Sequence, residues 1–328
     1  MYKRVTSFLS LAVIILLALT ESVSAQGFNS VTSPDGINIA AVGNSGKFYR
    51  SANGGVTYIS TTVSGSPNLY SVTSFGNDVW MTGDNGNIIK TLKTASSNTV
   101  YNSGDAGTFN SVFFVNSNTG FVCGPSGRVY KSINGGVNWT LSNTGISAGN
   151  GTLNSVCFTD ENNGTIVANS GSIFVTNNGG STWSLETSST SRNLLKVRYF
   201  GTDRVAVGEY GTILTNTGSG WTSIVTRTSS DIKGVTGSAI NDVHVCGGGG
   251  FIRNNKSGSS NFFRFENNPM MANLVDIFFY DNNKGWAVSS LNGVIIYTTN
   301  GGKNLSMPTG STVALSWVSK PGASGNFL

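Results

Sequence analysis

The sequence repeats itself about every 41 residues, and that period constrains the fold more than any other feature. Seven segments open alike: FNSV from Phe28, LYSV from Leu69, FNSV from Phe109, LNSV from Leu153, LLKV from Leu194, IKGV from Ile232 and LVDI from Leu274. The openings are 41, 40, 44, 41, 38 and 42 residues apart. A polar turn and a second strand follow each opening. A G-x-x-G turn comes next, at Gly43/Gly46, Gly83/Gly86, Gly124/Gly127, Gly208/Gly211 and Gly247/Gly250. Ala168 replaces the first glycine in the fourth unit, and the seventh carries an extra residue before Gly293.

The best copies then run VGNSGKFYRSANGGVTY, CGPSGRVYKSINGGVNW and VANSGSIFVTNNGGSTW. Asn-Gly and Gly-Gly supply the positive φ that a tight hairpin requires. The turn residues are Asn53 and Gly55, Asn134 and Gly136, Asn178 and Gly180, and Asn300 and Gly302. An aromatic (Tyr58, Trp139 or Trp183) then opens a fourth strand. In the third strand consecutive residues are apolar, as in Phe48/Tyr49, Ile88/Ile89 and Ile213/Leu214. Successive strand residues face opposite ways, so both faces of each sheet are covered. Recurring four-stranded units of this length predict an all-β, seven-bladed β-propeller. A β-solenoid is the alternative, although its coils are usually shorter.

The S-x-N-G-G-x-T-W element resembles the Asp-box of many propellers (the BNR repeat), with Asn where Asp is usual. The longer pattern of G-x-x-G, third strand and S/T-x-N-G-G-x-x-W is narrower. It resembles the photosystem II assembly and stability factor family, whose propellers carry VGxxGxIxxTxDGGxxW. The resemblance runs from Phe28 to Asn304. The second and sixth units lack the element (TLKTASSNTV and NNKSGSSNFF), and the fifth is shortened to TNTGSGW. The resemblance implies a binding or assembly role in which a basic surface holds a membrane-protein intermediate. The Asp-box also occurs in sialidases, which implies a carbohydrate-binding or glycoside-hydrolysing alternative.

Composition agrees with the repeat. Charged residues are 11% of the chain, against roughly 25% in an average domain. Glycine accounts for 43 of 328 residues. Helical bundles and disordered polyelectrolytes are excluded on these figures. Residues 1–25, MYKRVTSFLSLAVIILLALTESVSA, have a positive start, a short apolar run and small residues at Val23 and Ala25. They read as a secretory signal peptide cleaved after Ala25, with an uncleaved anchor as the alternative. The propeller then spans 26–306, and 307–328 is a closing strand or a linker tail to a larger surface protein. The expected location is periplasmic, cell-surface or extracellular. Without the leader the formal charge is +4, too small a bias to indicate nucleic acid or membrane.

Few residues suggest chemistry. His244, the sole histidine, stands in register with Ala40, Trp80, Phe121, Ile166, Val205 and Trp286, which marks a core position. Cys123, Cys157 and Cys246 leave at least one thiol unpaired in an exported chain. A Cys123–Cys157 bridge between adjacent blades is one reading, and three free thiols the other. Glycosidases need paired carboxylates. Here Asp35, Asp160, Glu161, Asp203 and Asp281 fall in first turns, where Asp serves local backbone bonding. No enzyme activity, metal or cofactor is expected. A basic sector does stand out. Arg50, Lys90 and Lys131 recur four residues past the G-x-x-G turn of the first three units, with Lys47 and Arg128 on the same strands. Lys196, Arg198 and Arg204 form a second group in the fifth unit. A solvated rim is the plain reading and a docking sector for a protein, or for an envelope or glycan component, the functional one.

Overall fold

The computed structural model describes residues 27–95, 97–255, 264–265, 273–290 and 293–302. The leader, the tail and its strand-like run Thr312 to Val318 lie outside the described residues. The chain forms seven antiparallel sheets, each built from consecutive strands. Blades one to seven span 28–62, 69–102, 111–141, 153–186, 194–224, 232–265 and 274–298. Six sheets have four strands, and blade seven has three among the described residues. Each blade coincides with one sequence repeat, so the chain is a seven-bladed β-propeller. The first strand of each blade lies beside those of its neighbours, and blade seven meets blade one.

The core is not central. It is divided among seven seams between blades. Alternation along a strand sends neighbouring residues to opposite seams. Ile89 packs with Val42 and Phe48 between blades one and two, while Ile88 packs with Phe109 and Val122 between blades two and three. The closing seam joins Phe28, Val31 and Ala41 of blade one to Trp286 and Val288 of blade seven. Cys123 faces the seam of blades three and four, whereas Cys157 faces that of blades four and five. The two cannot bridge, and all three cysteines are free thiols. Burial pushes the Cys123 and Cys157 thiols above their ordinary range.

The opening motif has a clear purpose. A β-bulge follows its first residue in six blades, for example at Phe28/Ser30 and Leu153/Ser155. The Asn and Ser of F/L-N-S-V then both reach the next blade. Asn29, Asn110 and Asn154 donate to the carbonyls of Leu69, Leu153 and Leu194 at 2.8, 3.0 and 2.8 Å. The Ser30, Ser71 and Ser111 hydroxyls each accept the next blade's Val N–H at 3.2 Å, and Ser155 does so at 3.4 Å.

The Asn-Gly-Gly turn is also a seam element. In blade four, Gly180 N–H donates to Thr176 Oγ1 at 3.0 Å, and Thr182 N–H to Asn178 Oδ1 at 3.0 Å. An uncharged amide therefore closes the turn. Gly135 and Gly136 have φ of 70° and 84°, the left-handed region glycine favours. A Cβ on Gly136 would lie 3.0 Å from Trp80 of blade two. That ring stacks on Phe114 of blade three at 3.6 Å between centroids. Phe121 and Phe158 repeat the pair at 3.9 Å, as do His244 and Phe279. His244 thus holds the seam position of Trp80, Phe121 and Trp286, its Nε2 3.4 Å from Asp242 Oδ1. Strand pairing places Thr165, not Ile166, at this position in blade four, because Ala168 is the first member of its G-x-x-G turn.

Trp80 is fully buried between two blades. Trp80→Ala is expected to lower unfolding free energy by about 3–5 kcal/mol, as for other buried aromatic truncations. Urea denaturation checks this.

Candidate functional site

The first strands enclose a channel of about 420 Å³ along the propeller axis. The third residue of the opening motif lines it in five blades, as Ser71, Ser111, Ser155, Lys196 and Asp276, and Ser30 and Gly234 hold the same register in the other two. The hydroxyl relay ends where Lys196 replaces serine. Lys196 Nζ instead reaches Asp276 Oδ1 of blade seven at 3.2 Å, past Gly234, which puts no side chain in the way. The other carboxylate oxygen of Asp276 accepts from Ser30 Oγ at 2.7 Å and from Val31 N–H at 3.1 Å. This buried carboxylate therefore closes the ring between blades seven and one and pairs with a lysine from blade five. Between blades six and seven the relay shifts to Thr236, which accepts from Phe279 N–H at 3.1 Å.

Arg198 lies two residues along the same strand and also lines the channel. Its guanidinium sits 5.8 Å from the centre of the Phe278 ring. Phe113 and Tyr280 add aromatic surface, and Thr32, Ser74 and Thr159 add hydroxyls. Asp276 is the single carboxylate among the described lining residues. Among the described residues, no group of three or more His, Cys, Asp or Glu converges as a metal site.

Four of the five basic residues singled out in blades one to three are committed to the seams. Arg50 donates to the Ala95 carbonyl of blade two. Lys90 donates to the Gly135 carbonyl of blade three at 3.3 Å and pairs with Asp78 at 2.9 Å. Lys131 donates to the Gly179 carbonyl of blade four at 2.7 Å. Each clasps the outer turn of the following blade, and Lys90 and Lys131 also lie over Trp80 and Phe121 at 5.1 and 5.5 Å. Arg128 pairs with Asp105 at 2.8 Å, while Lys47 begins the third strand of blade one, half-buried. The expected sector is thus a row of clasps. The second basic group divides. Lys196 and Arg198 line the channel, but Arg204 forms a two-pronged pair with Glu186 at 2.9 and 3.1 Å. That pair lines a separate groove of about 500 Å³ between blades four and five.

Sequence reasoning missed Asp276, Phe278, Phe113 and Tyr280. The signal for Asp276 was present: it and Lys196 are the two charged residues in an otherwise serine or glycine register. The aromatic members have no such periodic marker. Three of the first-turn carboxylates accept backbone hydrogen bonds within their own turns. Asp35 accepts from Ile37 and Asn38 N–H, Asp160 from Asn162 and Asn163, and Asp281 from Asn283 and Lys284. Asn116 does the same in blade three without charge.

No family model and no curated protein sequence matches the chain. Solved propellers do match. A structure of YCF48 bound to D1 peptide aligns with a TM-score of 0.70 at 16% identity, covering 84% of this chain and 94% of that one. YCF48 from Cyanidioschyzon merolae aligns at 0.68 and 17%, covering 84% and 96%. The WD40 β-propeller domain of Doa1 aligns at 0.69 and 14%, covering 88% and 95%. At these identities the likeness establishes the fold.

Burial acts to raise the Asp35 pKa, but the Lys93 ion pair and the backbone donors outweigh it and hold this carboxyl well below the usual range. Its stabilising contribution is therefore present above the unfolded value of about 3.9 and is lost as pH falls towards the depressed folded value. Asp35→Asn is expected to cost about 0.2–1 kcal/mol at pH 7 through loss of the partly exposed pair with Lys93. The gap from wild type should narrow below about pH 4, where the wild-type carboxyl begins to lose its advantage. Urea midpoints across pH 2–7 measure it.

Proposed function

We propose that the chain is an exported, non-catalytic propeller that holds a segment of a partner protein at its central channel. The observation that carries this reading is Arg198. It lines an open channel, is stacked on Phe278, and has no carboxylate partner among the described residues. A guanidinium on an aromatic face, ringed by hydroxyls, suits the carboxylate and backbone groups of an acidic peptide. The YCF48 structure with a D1 peptide supports a peptide ligand for this fold, and an envelope or membrane-protein client agrees with the signal-like leader. The basic clasps of blades one to three take no part in this reading, since their donors are used within the propeller.

Glycoside hydrolysis is the weaker reading. It needs one carboxyl as acid and a second as nucleophile or base. Asp276 faces the channel singly, and both of its oxygens are already engaged.

The test uses the full-length mature chain and a set of short acidic and neutral peptides. Acidic peptides are expected to bind preferentially, and Arg198→Glu should weaken them at least about tenfold, or 1.4 kcal/mol. The melting temperature of the variant should match wild type. Equal binding by the variant overturns the proposal, as does turnover of a glycan panel by the wild type. N-terminal sequencing of the secreted chain is expected to begin at Gln26.

A further inference from the structure

Five of the six described outer turns follow one pattern, and the turn of blade five, which meets the seam of blades four and five, breaks it. In blades one, three, four and seven, the first glycine of the outer turn donates to a carbonyl in the first turn of its own blade. The bonds are Gly54 to Ile37, Gly135 to Asn118, Gly179 to Asn162 and Gly301 to Asn283, each 2.9 Å. Blade two keeps the bond without the motif, from Lys93 N–H to Asn77 O at 2.8 Å. The turn then leans onto the preceding blade, whose side chains hold its carbonyl. Trp286 donates to Gly54 at 3.1 Å, Trp80 and Lys90 to Gly135 at 3.3 Å, and Lys131 to Gly179 at 2.7 Å.

Blade five has a turn two residues shorter, Asn216 to Trp221 against Thr176 to Trp183 in blade four. Its Gly218 N–H turns inward to Asn216 Oδ1 at 2.9 Å. The partners that would have held a longer turn have changed in step. Thr165 stands in the register of Trp80 and Phe121, Val175 in that of Lys90 and Lys131, Tyr199 in that of Phe114 and Phe158, and Arg204 in that of Gly120 and Gly164. These residues build a polar floor instead of an aromatic stack. Tyr199 and Thr165 hydroxyls meet at 2.7 Å. Glu186 holds Arg204 and accepts from Trp221 Nε1 at 2.8 Å, and Arg204 lies 5.0 Å over the Trp221 ring.

The groove of about 500 Å³ stands above this floor. Its wall includes Thr202, the counterpart of Asn118 and Asn162, whose carbonyls receive the turn elsewhere. Val175, the counterpart of the clasping lysines, is also in the wall. The seam therefore keeps the geometry of a turn receptor while its own turn falls short.

We propose that the groove is a docking site for a tight, glycine-containing β-turn of a partner polypeptide. That turn supplies from outside what the other blades supply from within. The incoming turn donates an N–H to the Thr202 carbonyl and lays its glycines against Val175. Arg204 is neutralised by Glu186, so Asp160 leaves the wall negative and favours a flanking lysine or arginine on the partner.

The test uses the mature chain and a cyclised ten-residue peptide with the sequence of residues 175–184, VTNNGGSTWS. Binding is read by calorimetry and by resonance shifts mapped to the groove. Two variants block the groove by different routes. One replaces residues 216–221 with the sequence of 176–183, giving blade five a full-length turn. The other is Val175→Trp. Both are expected to weaken the peptide at least about tenfold. A version of the peptide with valine in place of both glycines should fail to bind wild type. Undiminished binding to Val175→Trp, with its circular dichroism unchanged, overturns the proposal. So does failure of the cyclic peptide to shift groove resonances at millimolar concentration, or shifts produced by neutral oligosaccharides in its place. Arg198→Glu should leave the peptide's affinity as in wild type, which separates this groove from the channel.

Discussion

Everything in this propeller depends on packing between blades. Each sheet is too thin to bury its own side chains, so each contributes one face to the seam before it and the other to the seam after it. The result is a core in seven parts, each shared by two neighbours. Such an arrangement is stable only as a closed ring, because an open edge would expose a whole apolar face. Trp286, Phe28 and the Asp276–Ser30 bond are therefore as important as any central residue, since they cover the faces left by the first and last blades.

Polar groups reinforce the seams and do not compete with them. The axial serines pass a hydrogen bond from blade to blade, and the asparagines beside them reach the next blade's backbone. The outer turns are closed by neutral amides, and basic side chains hold their carbonyls. Low charge follows from this economy. Most cations near a seam are tied to a carbonyl or a carboxylate, and Arg198 in the channel, set over the Phe278 ring with no carboxylate partner among the described residues, stands out against that background. The 4–5 seam is another departure, where a polar floor stands in the register of the rings stacked at the 2–3, 3–4 and 6–7 seams.

The repeat boundaries were legible because the strand-turn pattern is local: G-x-x-G and Asn-Gly-Gly fix backbone conformations wherever they occur. The register of His244 was legible for the same reason. Comparison by spacing slipped by one residue in blade four, where Ala168 hides the first glycine of its turn and Thr165 takes the position that spacing gave to Ile166. The basic residues were visible as a row but not as clasps, because a lysine stem and a turn carbonyl in the next blade are about 45 residues apart in sequence. A bridge between Cys123 and Cys157 looked feasible along the chain, yet strand alternation turns the two thiols into different seams.

The sequence by itself determined the unit: four short strands, their turns, and seven copies of them, because each of these rests on pairings between nearby residues of the chain, such as Phe28 with Gly43 and Lys47 with Thr62. It also carried the substitutions at Lys196, Gly234 and Asp276 as irregularities in a serine column. Only the tertiary structure decided what those irregularities mean. Ring closure brings residues 80 positions apart to within 3.2 Å across the axis, and it sets a shortened turn in blade five against an altered face in blade four. Both candidate sites arise where one repeat differs from its neighbours, and the consequence of such a difference depends on which surfaces the closed ring places opposite each other.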